Sequence, residues 1–229
     1  MLILVSTPIG NLEDISYRAI ESLRSAKYIL AEDTRHTGRL LCHYEIQTPL
    51  KSFHQLNEAR REREILADLS AGWQICLVSD AGTPTISDPG KRLVQACIQR
   101  GISLYAIPGA CAFLTALVIS PFPSEPFQFL GFLPKKKQRR MKLLQEALSY
   151  SGTTLAYESP HRLLQSLEML AQLEPLRLLF LSRELTKRYE ESTWGTSREL
   201  LIQWQRKDKI RGEWVLLISS PGFTLPSLS

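Results

Sequence analysis

The chain has 229 residues, 44% of them hydrophobic and 22% charged, an ordinary globular composition with room for one large domain or two small ones. A formal net charge of +5 and a pI near 9.1 favour an anionic partner. No stretch approaches the ~20 apolar residues of a membrane span. The apolar run at 2–5 lacks the length and basic lead of a signal peptide. The four cysteines, Cys42, Cys76, Cys97 and Cys111, form no Cys-x-x-Cys pair, which argues against a disulfide framework or a zinc site. A cytoplasmic protein with reduced thiols and no membrane partner is expected.

In chain order, residues 2–6 read as a short apolar strand ending in Thr7-Pro8-Ile9-Gly10-Asn11. Ile15, Ala19, Ile20 and Leu23 then recur at helical spacing. Residues 28–31 form the next strand and run into Glu32-Asp33-Thr34-Arg35-His36-Thr37, with a helix over 37–41. A strand at 50–53 precedes His54 and a charged helix over 58–69. The strand at 75–78 stops at Ser79-Asp80 before a loop rich in Gly, Pro and small polar residues, and Leu93, Val94, Cys97 and Ile98 mark the following helix. The strand at 103–107 ends in Pro108-Gly109-Ala110-Cys111-Ala112, which opens an apolar helix reaching Ile119. Strands alternating with helices predict a mostly parallel, doubly wound sheet. Its Gly/Pro and polar turns should share the carboxyl edge, where open α/β proteins bind ligands. The loop at 79–90 has no Gly-x-Gly-x-x-Gly and no Gly-x-x-x-x-Gly-Lys-Ser/Thr, so a ligand held there is not gripped by the usual phosphate cradles. Gly82, Pro84, Pro89 and Gly90 also fit a plain turn; Asp80 and Asp88 in the same short loop tilt the reading towards a ligand.

Prolines at 121, 123 and 126 break helix and strand alike and predict an interdomain linker, with domains at 1–120 and 121–229. The second half opens with a strand at 127–132 and then Pro134-Lys135-Lys136-Lys137-Gln138-Arg139-Arg140, the densest charge cluster in the chain. Cations at a helix start oppose the macrodipole, which favours an anionic partner over a merely solvated face. Strands at 154–157, 178–181 and 214–218, with helices around Leu163 to Leu170 and around Leu200, complete a second α/β domain. A loose tail is expected over 221–229.

Together these segments resemble one family. Ser6-Thr7-Pro8-Ile9-Gly10-Asn11-Leu12, Ala31-Glu32-Asp33-Thr34-Arg35, Val78-Ser79-Asp80-Ala81-Gly82-Thr83-Pro84, Ile86-Ser87-Asp88-Pro89-Gly90, Gly131-Phe132-Leu133-Pro134-Lys135 and Tyr157-Glu158-Ser159-Pro160-His161-Arg162 look like signatures of the ribosomal RNA small-subunit methyltransferase I family, within the tetrapyrrole methylase-like superfamily. One departure is Ala110-Cys111, where the family usually reads Pro-Ser. The resemblance implies two α/β domains of the tetrapyrrole methylase type, with S-adenosylmethionine in the interdomain cleft, and a homodimer. It assigns cofactor contacts to Pro8, Gly82, Thr83, Ile86, Cys111, Ala112 and Tyr157. Its implied reaction moves a methyl group to a cytidine 2′-hydroxyl of small-subunit ribosomal RNA, free or in the assembled subunit.

Such a displacement must lose the hydroxyl proton during or after attack, so a nearby base or polarising cation helps. Asp33, Arg35 and His36 at one strand end are the candidates for orienting and deprotonating the hydroxyl or clamping its phosphate. Asp33 equally suits the N-cap of the next helix. His54, Glu158, His161, Arg183, Glu184 and Lys187 are secondary candidates that also read as caps or surface pairs. Lys135, Lys136, Lys137, Arg139 and Arg140, with Arg162, are the expected RNA contacts. A tetrapyrrole methylase is disfavoured because its substrate does not need the basic run. A non-catalytic ribosome-binding protein is disfavoured by the near-complete motif set.

Overall fold

The structure, a computed structural model, describes residues 1–225. The chain divides into two compact units, Met1–Cys111 and a second beginning at Ala112.

The first unit carries strands β1 (Leu2–Val5), β2 (Tyr28–Ala31), β3 (Leu50–Ser52), β4 (Ile75–Leu77) and β5 (Leu104–Ile107), interleaved with helices α1 (Tyr17–Ser25), α2 (Thr34–His43), α3 (Glu58–Ser70) and α4 (Lys91–Gln99). The sheet order is β3-β2-β4-β1-β5 and every pairing is parallel. Strands in such a sheet are apolar on both faces because helices cover both. Accordingly Ile3, Val5, Ile29 and Cys76 join one core cluster, while Leu2, Leu30, Ile75 and Leu77 join another. The expected parallel sheet is therefore present, and all five strand ends open onto one edge.

The second unit starts earlier than the expected boundary. Helix α5 (Ala112–Val118) packs on strands β7 (Thr153–Glu158) and β10 (Trp214–Ile218) of this unit, and Phe113 stacks on Phe129 at 4.1 Å between ring centroids. The proline segment is anchored rather than free. Thr153 Oγ1 donates to the Pro123 carbonyl at 2.6 Å, and Phe122 meets Phe223 edge-on at 5.4 Å. That contact also fixes part of the expected loose tail, whose residues 226–229 lie outside the described residues.

Strands β6 (Phe127–Phe132), β8 (Leu178–Arg183) and β9 (Glu191–Thr196) complete a mixed sheet in the order β6-β7-β10-β8-β9, with helices α6 (Lys137–Leu148), α7 (Leu163–Leu173) and α8 (Ser197–Gln205). Strand β6 is parallel to β7, while β10 runs antiparallel to both β7 and β8. The carboxyl ends of β6, β7 and β8 and the start of β10 thus share one edge. Strand β9 is absent from the sequence reading: it is a polar edge strand whose Glu-Ser-Thr-Trp-Gly-Thr lacks an apolar run, a common way for an edge to discourage further pairing.

Candidate functional site

In the first unit the turns after β1, β4 and β5, three adjacent strands, are tied together. Thr7 and Gly82 exchange both backbone hydrogen bonds, at 2.9 and 3.0 Å. Thr83 Oγ1 donates to the Ala110 carbonyl at 3.1 Å, so the 3.1 Å contact between the Ser6 and Thr83 hydroxyls has Ser6 as donor. Gly109 lets this third turn approach, since a Cβ there would meet Ser6 Cβ at 2.8 Å.

Gly82 has a conformational reason besides the one its sequence suggests. Its φ is +82°, and an added Cβ would meet Ile9 Cγ2 at 3.3 Å, so a β-branched residue there strains the turn before any ligand is considered. The same loop holds Thr85 at φ 71° and Ser87 at φ 66°, left-handed conformations that non-glycine residues adopt at a cost. Strain of this kind persists where surrounding structure enforces it and clusters at ligand-binding segments. Of the expected cofactor residues, Pro8 and Gly82 are buried, Thr83 and Cys111 half-buried and Ile86 exposed. Ala112 and Tyr157 belong to the second unit, where Tyr157 packs on Phe129 and Phe132.

The end of β2 shows the capping role of Asp33. It is the N-cap of α2, which starts at Thr34 rather than at Thr37, and its Oδ1 accepts from Arg35 N at 2.9 Å. Its two oxygens also grip the Arg35 guanidinium, at 3.1 and 2.8 Å. These bonds to Arg35 hold the carboxyl well below the usual carboxylate range, which makes Asp33 a poor proton acceptor. Arg35 and His36 are exposed.

Next to Asp33 the electrostatics reverse. Asp80 at the end of β4 accepts the Asp33 backbone N–H at 2.9 Å. Burial first, then the Asp80 charge, raises Glu32. Burial, the Glu32 charge and the Asp80 charge raise Asp88 from 3.8 to about 6, against a hydrogen bond from Ser79. Sequence reading passed over Glu32, although a carboxylate directly after a buried parallel strand is the signal that marks it.

Because the Asp88 carboxyl holds its proton more tightly in the fold than in the unfolded chain, the associated stability is present below about pH 4 and is lost as pH rises through about 6. Asp88→Asn should therefore raise the melting temperature at pH 7 to 8, with the gain vanishing below about pH 4. A melting-temperature series across that range checks it, and a constant difference would refute the assignment.

The second unit gathers cations at its shared sheet edge. Lys135, Lys136, Lys137 and Arg139 follow β6 and are exposed. Arg162 follows β7 and pairs with Glu158 at 2.9 Å. Arg183 ends β8, pairs with Glu191 at 2.9 Å, and lies 5.9 Å from the ring centroids of both Trp204 and Trp214. Lys187 is held by Glu184 at 3.3 Å and Glu213 at 2.8 Å. Helices α6 and α7, which start at this edge, have basic N-cap residues and no side-chain cap. Helix α8, starting at the opposite edge, has a full capping box from Thr196 and Glu199. Uncapped helix starts beside lysines and arginines suit phosphate oxygens.

Arg140 does not belong to this surface. It is fully buried, donating from Nη1 to the Pro134 carbonyl at 3.2 Å and from Nη2 to Gln165 at 2.7 Å. The helical period explains why: Arg140, Leu144, Ala147 and Leu148 form the inward stripe of α6.

Residues 1–201 match the family model of tetrapyrrole (corrin/porphyrin) methylases. The chain is 47% identical to ribosomal RNA small subunit methyltransferase I of Halalkalibacterium halodurans, over 96% of this chain and 76% of that one. It is 43% identical to the protein of the same name from Thermotoga maritima, over 95% and 97% of the two chains. The crystal structure of a diphthine synthase superposes with a TM-score of 0.73 at 14% identity, over 96% of this chain and 89% of that one, a likeness of fold. With motifs, sheet edges and relatives in agreement, the chain belongs to the tetrapyrrole methylases and, among them, to the ribosomal RNA small subunit methyltransferase I family.

Proposed function

We propose that this protein transfers the methyl group of S-adenosylmethionine to the ribose 2′-hydroxyl of a cytidine in small-subunit ribosomal RNA. The observation that carries the RNA part is the basic edge of the second sheet, on a chain whose relatives are named for ribosomal RNA. The first unit fits the cofactor. Its three joined turns carry small side chains and no phosphate cradle; burial first and like-charge crowding second raise Glu32 and Asp88, and a cationic ligand such as a sulfonium would relieve the crowding. When bound, S-adenosylmethionine supplies the electrophilic methyl carbon. Pro8, Gly82, Thr83, Ile86 and Cys111 of the first unit, and Ala112 and Tyr157 of the second, are the residues we assign to it.

For the substrate, we assign Arg35 and His36 to orienting the ribose and its phosphate, supported by the bonds from Arg35 to Asp33 that fix the guanidinium. The raised carboxyls of Glu32 and Asp88 suit proton acceptance better than the depressed one of Asp33. Alignment of hydroxyl and methyl supplies much of the remaining rate. We read the enzyme as a cytoplasmic homodimer, on the strength of the family resemblance. Among the described residues no helix is long and apolar enough to cross a membrane.

Labelled methyl should pass from the cofactor into purified small subunits or their naked RNA, and not into tetrapyrrole precursors. The product carries its own check. A 2′-O-methylated nucleotide has lost the nucleophile of alkaline cleavage, so its linkage should survive alkali. Label in an alkali-labile linkage would place the methyl on a base and overturn the 2′-hydroxyl assignment.

A further inference from the structure

At the end of β7 a carboxylate is buried in a way that the methyl-transfer chemistry does not by itself explain. The Glu158 side chain is 0% exposed, and three donors meet its oxygens: Ser159 N at 2.6 Å, Ser166 Oγ at 2.5 Å and Arg162 Nη2 at 2.9 Å. Burying a carboxylate is unfavourable unless it is paired and hydrogen-bonded, and well-packed apolar groups often serve stability as well or better. Ser159 and Ser166 are neutral; among the described residues the charge itself is met only by Arg162.

The Arg162 side chain is 19% exposed, and the residue follows β7 at the sheet edge. Glu158 engages one terminal nitrogen, and the buried Nε has no partner among the described residues. The register puts Glu158 level with Arg183, another guanidinium of the edge, with β10 between them, since Trp214 pairs with Glu158 on one side and with Arg183 on the other. The exposed lysines at 135–137 bring positive potential but no fixed geometry. A guanidinium tethered at one corner has already lost its rotamer freedom, the cost that a free arginine meets when it captures a phosphate.

We propose that Glu158 is a positioning residue for the RNA substrate: it fixes the Arg162 guanidinium at the edge of the second sheet so that its uncommitted terminal N–H groups meet a backbone phosphate. The inference rests on the reading that Arg162 contacts RNA, and the experiment separates the two. With small ribosomal subunits as substrate and saturating cofactor, Arg162→Ala should raise KM roughly tenfold and flatten its logarithmic salt dependence by about one phosphate contact. Glu158→Gln should raise KM roughly three- to tenfold, the range expected for one re-mobilised side chain, with kcat little changed and the salt dependence kept because the arginine's charge remains. Arg162→Lys should not restore the wild-type KM, because an ammonium has no planar fork.

The double variant of Glu158→Gln with Arg162→Ala should be no worse in KM than Arg162→Ala alone, because Glu158 acts through that arginine. Ser166→Ala, which removes a neutral donor from the same carboxylate, should lower the melting temperature and leave KM unchanged. If Arg162→Ala raises KM while Glu158→Gln does not, or if the two effects add in the double variant, the positioning role is refuted and the RNA contact stands. If Arg162→Ala leaves KM and its salt dependence unchanged, the RNA contact fails and the positioning role with it. Should Glu158→Gln not fold, Arg162→Lys still decides: wild-type KM in that variant would mean that charge alone suffices and would overturn the proposal.

Discussion

Reversing Lys135, Lys136 and Lys137 to Glu is expected to weaken binding to small-subunit RNA or to the assembled subunit by more than about tenfold at moderate salt. All three side chains are exposed and follow β6 onto the shared edge of the second sheet, where the uncapped start of α6 adds unpaired backbone N–H groups. Cations bound to phosphates release counterions, so affinity falls with salt in proportion to the contacts made. These contacts supply affinity and register without reading bases. The triple variant should therefore show both a lower affinity and a shallower salt dependence. Binding of S-adenosylmethionine should be unchanged, because lysines have no reason to hold a sulfonium. Normal methylation with an unchanged salt slope would reduce the run to a solvated helix face.

How much of this was readable beforehand follows from what each residue type can signal. The parallel sheet of the first unit was legible because its central strands are apolar on both faces and end in Pro, Gly or paired polar residues, as at Thr7-Pro8 and Ser79-Asp80. Those same turns marked the site edge. The left-handed backbone at Thr85 and Ser87 was not legible, since neither residue type announces a positive φ. For Gly82 the position was legible and its cause was not. The glycine answers a conformational demand of the loop, imposed by its pairing with Thr7, in addition to any demand of the ligand.

The second unit was less transparent. Its boundary was masked because the prolines looked like a break in the chain, whereas Phe113 had already committed α5 to the following sheet. The polar strand β9 gave no periodic signal beyond a half-exposed alternation. Asp33 shows the opposite problem, because a carboxylate at a helix start is both a plausible base and a good cap. Only the bonds from Arg35 decide which role its protonation state favours.

Arg140 provides the sharpest contrast with its neighbours, and the second large effect is expected there. Among the described residues no carboxylate lies within ion-pair distance of it, and its acceptors are the neutral Pro134 carbonyl and Gln165. A buried cation with only neutral acceptors is costly, while its aliphatic stem fills space on the same stripe as Leu144 and Leu148. Truncation should therefore cost clearly more than removal of the charge alone. Arg140→Ala leaves a cavity and unpaired acceptors and should destabilise the protein by about 2–4 kcal/mol. Arg140→Met keeps most of the volume and removes the charge, so it should cost less than about 1.5 kcal/mol or even stabilise. Denaturant midpoints of the two variants test this difference, and equal losses of stability would refute it. Below their melting temperatures both should bind ribosomal RNA with wild-type affinity and salt dependence, in contrast to the lysine reversals. An Arg140→Ala protein of undiminished stability that binds RNA tenfold more weakly would return Arg140 to the RNA-facing surface.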